Sequence, residues 1–454
     1  MMDIKEKRAL YMGAYEEDKA AIDIKIADGI EKHRKGYCKL RLVDKNGNSV
    51  AGKKIKVTQK NHDFKYGANI FMLDEFESEK DNAEYRRFFK EHFNLATVPF
   101  YWNSLEPEEG KPRYDKNSKK IYRRPAPDLC VDYCEENGII PKLHCLVYDK
   151  SAPEWVQKLP LAEVKKKYEE RFRQISERYS GRMYEFEVIN ELFLEKHWPK
   201  KTELSDTKDI LEWSFNLAQK YFPNEVLVIN EAQPMPRLAQ EDYRCPYFLM
   251  IENTLQKGTR IDKIGIQNHL FIGATARNEE QYEHAVRNYC KDDFENGLCD
   301  PKVIWKALDI ISEFGLPLEL TEVTIPTLGD TIEDEELQAD MLKLWYSVWF
   351  SHPAVESVVY WNTVDGYAYD DGVNWNENNC RGGLWHHDLT PKKSAEMLKK
   401  LFCEEWHTDL ELETDKDGYV DFRGFFGEYI VEADDFDFQV DIHKHCNNFY
   451  EITL

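Results

Sequence analysis

Glu187-Val188-Ile189-Asn190-Glu191-Leu192 and Leu318-Glu319-Leu320-Thr321-Glu322-Val323 decide the reading of this chain. Each is an apolar, strand-prone run that closes on a carboxylate. A carboxylate at the end of a buried strand is costly unless it has partners or a task. Around these two segments lie further apolar runs at 66–71, 95–100, 141–148, 225–230, 264–270 and 357–363. Long helical patterns separate most of them, for example Glu163 to Tyr179 and Asp334 to Phe350. Near-continuous apolar strands alternating with helices predict a parallel sheet covered on its outer side. Eight such units fit a closed (β/α)8 barrel, an α/β fold of the TIM type, with functional groups at the carboxyl ends of the strands. Glu191 then ends the fourth strand and Glu322 the seventh.

The two ends of the chain have a different character. Residues 1–36 carry apolar positions at helical spacing and predict helix. Tyr37 to Val43 and Lys54 to Gln59 alternate across the turn sequence Asp44-Lys45-Asn46-Gly47-Asn48, which predicts a β-hairpin. Short alternating runs return at Leu410–Thr414, Tyr419–Phe422, Tyr429–Val431 and Phe438–Val440. Isolated hairpins are marginal in water, so the two ends are expected to join as one accessory β-sandwich from 37–62 and 404–454, flanking a barrel domain at 63–403.

Bulk properties narrow the function. A net charge of -23 argues against nucleic acid and anionic membranes as partners. It is compatible with a neutral carbohydrate, and 11 Trp and 25 Tyr supply flat rings of the kind that cover pyranose faces. No apolar run reaches the ~18 residues of a membrane-spanning helix. The ten cysteines are scattered without a metal-type CxxC pair, and His and Cys do not cluster at metal-ligand spacing. Neither a metal nor a cofactor is expected. The N-terminus shows no secretory pattern, so the expected location is cytoplasmic, or secreted if a leader has been removed.

Strands four and seven lie across the barrel mouth from each other, so their terminal carboxylates can face one bound sugar. Two carboxyls about 5–5.5 Å apart are the machinery of a retaining glycosidase, one as nucleophile and one as acid/base. The alternative for either glutamate alone is a buried salt bridge.

Here the chain resembles glycoside hydrolase family 10, the endo-β-1,4-xylanase family, from about residue 66 to 400. The resemblance is carried by Asn190-Glu191, Thr321-Glu322, Gln267-Asn268-His269-Leu270, Asn103 to Gly110, His144 to Tyr148, Tyr360 to Gly366, Gly383-Leu384-Trp385 and Pro391-Lys392-Lys393. It implies Glu191 as acid/base and Glu322 as nucleophile. It also implies Asn190 on the sugar 2-hydroxyl, Gln267 and His269 beside the nucleophile, Trp361 beneath the sugar, and His144 near the same subsite. Asp365 matches a position taken as structural.

Departures cluster in the neighbouring subsites. The family's Glu-Asn and Lys after strand two are absent from Thr97-Val98-Pro99-Phe100-Tyr101-Trp102, where Trp102 alone remains. Its Trp-His after strand three becomes Tyr148-Asp149, its Asn-Asp-Tyr after strand five becomes Asn230-Glu231-Ala232, and a distal tryptophan becomes Tyr369. The acidic stretch 273–300 and the segment Tyr369 to Asn376 add loops that shape the cleft. The expected function is a retaining, xylanase-like β-glycoside hydrolase whose gripping residues, Trp102, Tyr148 and Tyr369 among them, have been rebuilt. The alternatives are an exo-acting enzyme on decorated or aglycone-bearing glycosides, and a carbohydrate-binding barrel without catalysis.

Overall fold

The structure is a computed structural model that describes residues 2–193, 201–289, 296–434 and 436–454. Eight strands close into a barrel: Lys65–Asn69, Leu95–Pro99, Ile140–His144, Glu185–Asn190, Val226–Glu231, Lys263–His269, Leu318–Thr324 and Val355–Tyr360. They are called here the first to eighth barrel strands. Each is hydrogen-bonded to the next and the eighth closes on the first, which makes the (β/α)8 barrel. Strands expected from apolar runs fall within one to three residues of those observed at most ends; the third is shorter, stopping at His144.

Helices follow the strands for local reasons. Helix Glu79–His92 starts where the Ser78 hydroxyl accepts from the Asp81 N–H at 3.0 Å, and it buries Tyr85, Phe88 and Phe89 at the i, i+3, i+4 spacing of one helical face. Helix Leu161–Tyr179 does the same with Val164, Tyr168, Phe172, Ile175 and Tyr179. In the 273–300 stretch the chain forms helix Glu279–Tyr289, and residues 290–295 lie outside the described residues.

The terminal segments form two sheets. Lys35–Val43 pairs antiparallel with Tyr419–Phe425 and parallel with Phe449–Thr453. The other sheet runs Asp409–Glu413, Lys54–His62, Gly427–Ala433, Phe436–Ile442. Lys35–Val43 and Lys54–His62 therefore do not pair as the expected hairpin: each takes its partners from the C-terminal segment, and the Asp44–Asn48 turn carries the chain from one sheet to the other. Leu40, Leu42 and Ile452 of the first sheet share one buried core with Val57, Tyr429, Val431, Val440 and Ile442 of the second, so the sheets form an accessory β-sandwich. Helices Ile4–Glu17 and Lys19–Arg34 precede it.

The described chain divides into two compact units. One comprises Met1–Glu17, Tyr66–Met341 and Ala354–Ser394; the other comprises Asp18–Lys65, Leu342–Pro353 and Ala395–Leu454. Among the described residues no helix is long and apolar enough to cross a membrane, and the described cysteines are free, with Cys403 and Cys446 exposed.

Candidate active site

Glu322 lies on the seventh strand, paired in register with Gln267 of the sixth. It is 4% exposed. Three nitrogens converge on it: Gln267 Nε2 and Asn230 Nδ2 donate to one oxygen at 2.9 Å and 3.0 Å, and His269 Nε2 lies 3.2 Å from the other. Glu191 follows directly on the fourth strand. Its φ of +53° is in the left-handed region, which costs a non-glycine residue about 1 kcal/mol or more. Its N–H donates to the Asn230 carbonyl at 3.1 Å. Its carboxylate accepts from the Tyr148 hydroxyl at 2.7 Å and from Gln267 Nε2 at 3.1 Å.

A single nitrogen therefore touches both carboxylates, at 2.9 Å from Glu322 and 3.1 Å from Glu191. Those two oxygens can be no farther apart than about 6 Å, so the two carboxylates face one another across a single amide nitrogen.

The amides are fixed in turn. Asn190 and Asn230 are register partners on strands four and five, and Asn230 Nδ2 donates to Asn190 Oδ1 at 2.8 Å. The Thr321 hydroxyl donates to Asn230 Oδ1 at 2.5 Å. Gly265 makes room for this: a Cβ there would meet Thr321 Cγ2 at 2.7 Å and the Ile229 carbonyl at 2.8 Å.

Burial pushes the Glu322 carboxyl well above its ordinary range; His144 pulls the other way, and the negative charges of Glu191 and Glu187 add to the rise. Burial also lowers His269, to about 4, so its ring is neutral near pH 7. A neutral ring carries one proton, shared between a contact of Nε2 with Glu322 at 3.2 Å and one of Nδ1 with the Thr324 hydroxyl at 2.8 Å.

Beneath the pair lies a charged floor. His144 Nδ1 meets the Glu187 carboxylate, and Lys142 Nζ lies 2.6 Å from Glu187 and also contacts Glu319. Lys263 pairs with Glu185 at 2.7 Å. All these side chains are buried. Burial works against a charged His144, but Glu187 outweighs it and raises the ring. Burial, reinforced by Glu185, raises the Glu319 carboxyl, whereas Lys263 and Lys142 overcome burial and lower that of Glu185.

His144, Glu187 and Glu322 bring ligand-type atoms within 4.8 Å of one another. Both nitrogens of His144 are already engaged, Nδ1 with Glu187 and Nε2 with the Tyr101 hydroxyl at 2.9 Å.

Of the residues expected at the site, Glu191, Glu322, Asn190, Gln267, His269 and Tyr148 meet in this one network. Trp361 sits beside it, its ring centred 5.3 Å from His144 and 6.2 Å from His269. Tyr369 is 39% exposed in the loop after strand eight, outside that network. Trp102 is elsewhere: its ring is buried against Trp155 and Tyr168, and its Nε1 donates to Glu106 at 2.9 Å. Its neighbour Tyr101 takes the place facing His144, because the chain turns into the short helix Trp102–Leu105 there.

Tyr101, Asn230, Glu187 and Lys142 were not among the expected site residues. The signal for the last two was available: Lys142, Glu185, Glu187 and Glu319 sit inside apolar strands at period-two positions, where a barrel interior ordinarily carries Val, Ile or Leu.

A barrel with two carboxylates gathered at the ends of strands four and seven defines the class. The family model for glycosyl hydrolase family 10 matches residues 59–400. The chain belongs to glycosyl hydrolase family 10.

Among its relatives, the anti-sigma-I factor RsgI6 of Acetivibrio thermocellus is 24% identical over 407 residues, covering 88% of this chain and 45% of that protein. Endo-1,4-beta-xylanase 2 of Arabidopsis thaliana is 24% identical over 409 residues, covering 88% of this chain and 32% of that protein. The chain thus spans less than half the length of these curated relatives. Among solved structures, xylanase 10B from Thermotoga petrophila in complex with xylobiose aligns with a TM-score of 0.58 at 18% identity, over 76% of this chain and 95% of that one. Native xylanase 10B from Thermotoga maritima gives 0.58 at 19% identity, over 76% and 96%. These likenesses describe the barrel fold.

Proposed function

We propose that this chain is a retaining β-glycoside hydrolase of xylanase-like type, acting on a β-linked oligo- or polysaccharide. The observation that carries the reading is Gln267 Nε2 in hydrogen-bond contact with both Glu322 at 2.9 Å and Glu191 at 3.1 Å. One anomeric carbon fits between carboxylates at that spacing.

In this reading Glu322 attacks the anomeric carbon while Glu191 gives a proton to the departing oxygen. The bond from C1 to the leaving group breaks as the bond from C1 to Glu322 forms. Once Glu322 carries the sugar its charge is consumed, and Glu191 takes a proton from the water that releases the product. The N–H groups of Asn230, Gln267 and His269 stabilise the Glu322 carboxylate as it is released, and Tyr148 aims Glu191. Asn190 stands where it can hold a hydroxyl beside the reacting carbon, and Trp361 supplies an apolar face.

Tyr101 and the loop around Tyr369 favour a glycan other than plain xylan in the flanking subsites, including an exo mode on decorated chains. Proton NMR of the first product from an aryl β-xyloside tests the stereochemistry. Retention of the β configuration is expected; an α product defeats the reading.

A further inference from the structure

We propose that Arg124 makes the wall of the cleft beside Tyr101 a receptor for a carboxylate, so that the preferred substrate is a β-glycan carrying a uronic acid. The inference rests on the hydrolase reading above and names the substrate class for that same site.

Tyr101 connects the wall to the chemistry. Its hydroxyl lies 2.9 Å from His144 Nε2 and its ring is 6.1 Å from that of Tyr148, which holds Glu191. On the Tyr101 ring rests the Arg124 guanidinium, 4.0 Å from the centroid and 5.3 Å from that of Phe71. Stacking fixes the plane of the fork and leaves its edge for hydrogen bonds. Of its five N–H groups, one donates to the Arg123 carbonyl at 2.8 Å. No carboxylate of the described residues pairs with it.

The nearest candidate for a counter-charge is already engaged. Arg123 donates to Asn362 Oδ1 at 2.7 Å and to the Tyr367 carbonyl, and Asn362 Nδ2 donates to Glu377 at 2.7 Å. Asn362 thereby carries Glu377 to Arg123. Glu377 reaches Arg124 only as a charge beyond pairing distance. Other arginines of this chain do find partners: exposed Arg87 pairs with Glu84 and Glu91, and half-buried Arg182 with Asp132 and Glu135. A half-buried, stacked cation left without an anion, on a ring whose hydroxyl meets His144, is a costly arrangement that a substrate carboxylate would complete in bidentate fashion.

The test compares kcat/KM for three probes: a neutral xylo-oligosaccharide, the same oligosaccharide with a glucuronic acid branch, and a β-linked oligosaccharide with glucuronic acid in the chain. The unaltered protein is expected to favour at least one acidic probe by about tenfold or more, the scale of a charge-assisted contact. Which probe it favours tells a branch from a chain residue. The preference is expected to shrink as salt is raised, to vanish in Arg124→Gln and to survive in part in Arg124→Lys.

A ratio at or below one in the unaltered protein overturns the inference without any variant. So does a preference that persists in Arg124→Gln. Hydrolysis of the neutral probe alone would overturn this inference and leave the hydrolase reading standing. Absence of hydrolysis of all three overturns both.

Discussion

Inside the β-sandwich, Leu40, Leu42, Val57, Val431, Val440, Ile442 and Ile452 meet with no charged group among them. Inside the barrel, Lys142, Glu185, Glu187, Lys263 and Glu319 occupy the corresponding interior positions, all buried. The first interior gains from apolar area removed from water, roughly 25 cal/mol per Å2. The second pays a desolvation cost for every charge and recovers it only through its partners. The floor charges set the field at the barrel mouth: Glu187 raises the His144 ring and adds to the rise of the Glu322 carboxyl.

The largest expected effect lies at the top of the charged interior. Glu322→Ala should lower kcat/KM on an activated aryl glycoside by about ten-thousand-fold or more, read in a spectrophotometric assay. A small loss would remove the barrel's reason for its charges.

Next is the floor itself. Lys142→Met leaves Glu187 and Glu319 without their shared cation and should cost about 3–5 kcal/mol of stability, read from denaturant unfolding, together with a loss of activity. In the sandwich, Leu42→Ala should cost about 2–5 kcal/mol, with kcat/KM for the same substrate little changed. Activity that falls equally in both variants would erase the contrast.

A smaller and opposite effect is expected from Glu322→Gln. The folded carboxyl is raised by burial, so the native state binds a proton more tightly than the unfolded chain. Its contribution is favourable below about pH 4.3, the unfolded value, and is lost as pH rises through the folded value. Near neutrality the substitution should therefore raise the melting temperature by about 1–3 °C, and calorimetry checks it. The same shift places the acid limb of kcat/KM above the ordinary carboxyl range, since Glu322 must be ionised to attack.

Much of this was legible in the sequence because it rested on periodicity. Apolar strand runs and the carboxylates at their ends gave the barrel and the meeting of Glu191 with Glu322. Alternation gave the sandwich strands, except Phe449–Thr453, whose short Phe-Tyr-Glu-Ile-Thr run gains its place only by pairing parallel to Lys35–Val43. The turn residues misled on pairing: Lys35–Val43 and Lys54–His62 enter different sheets instead of forming a hairpin, because strand partners are set by the distant C-terminal segment. Which of Tyr101 and Trp102 faces the cleft was not legible, since a one-residue difference in where a helix begins swaps their directions. The Arg124 stack depends on a loop path that no local pattern encodes. The buried charges were visible as residues but not as a network, because their pairing crosses four strands.

The central claim is that Glu322 and Glu191 act on one anomeric carbon. The direct measurement is to incubate the protein with a 2-deoxy-2-fluoro β-glycoside bearing an activated leaving group, digest it and locate the sugar by mass spectrometry. The account predicts one sugar per chain, on Glu322, with slow release. A sugar attached to another residue, or steady turnover of that reagent with no adduct and an inverted product, would contradict it.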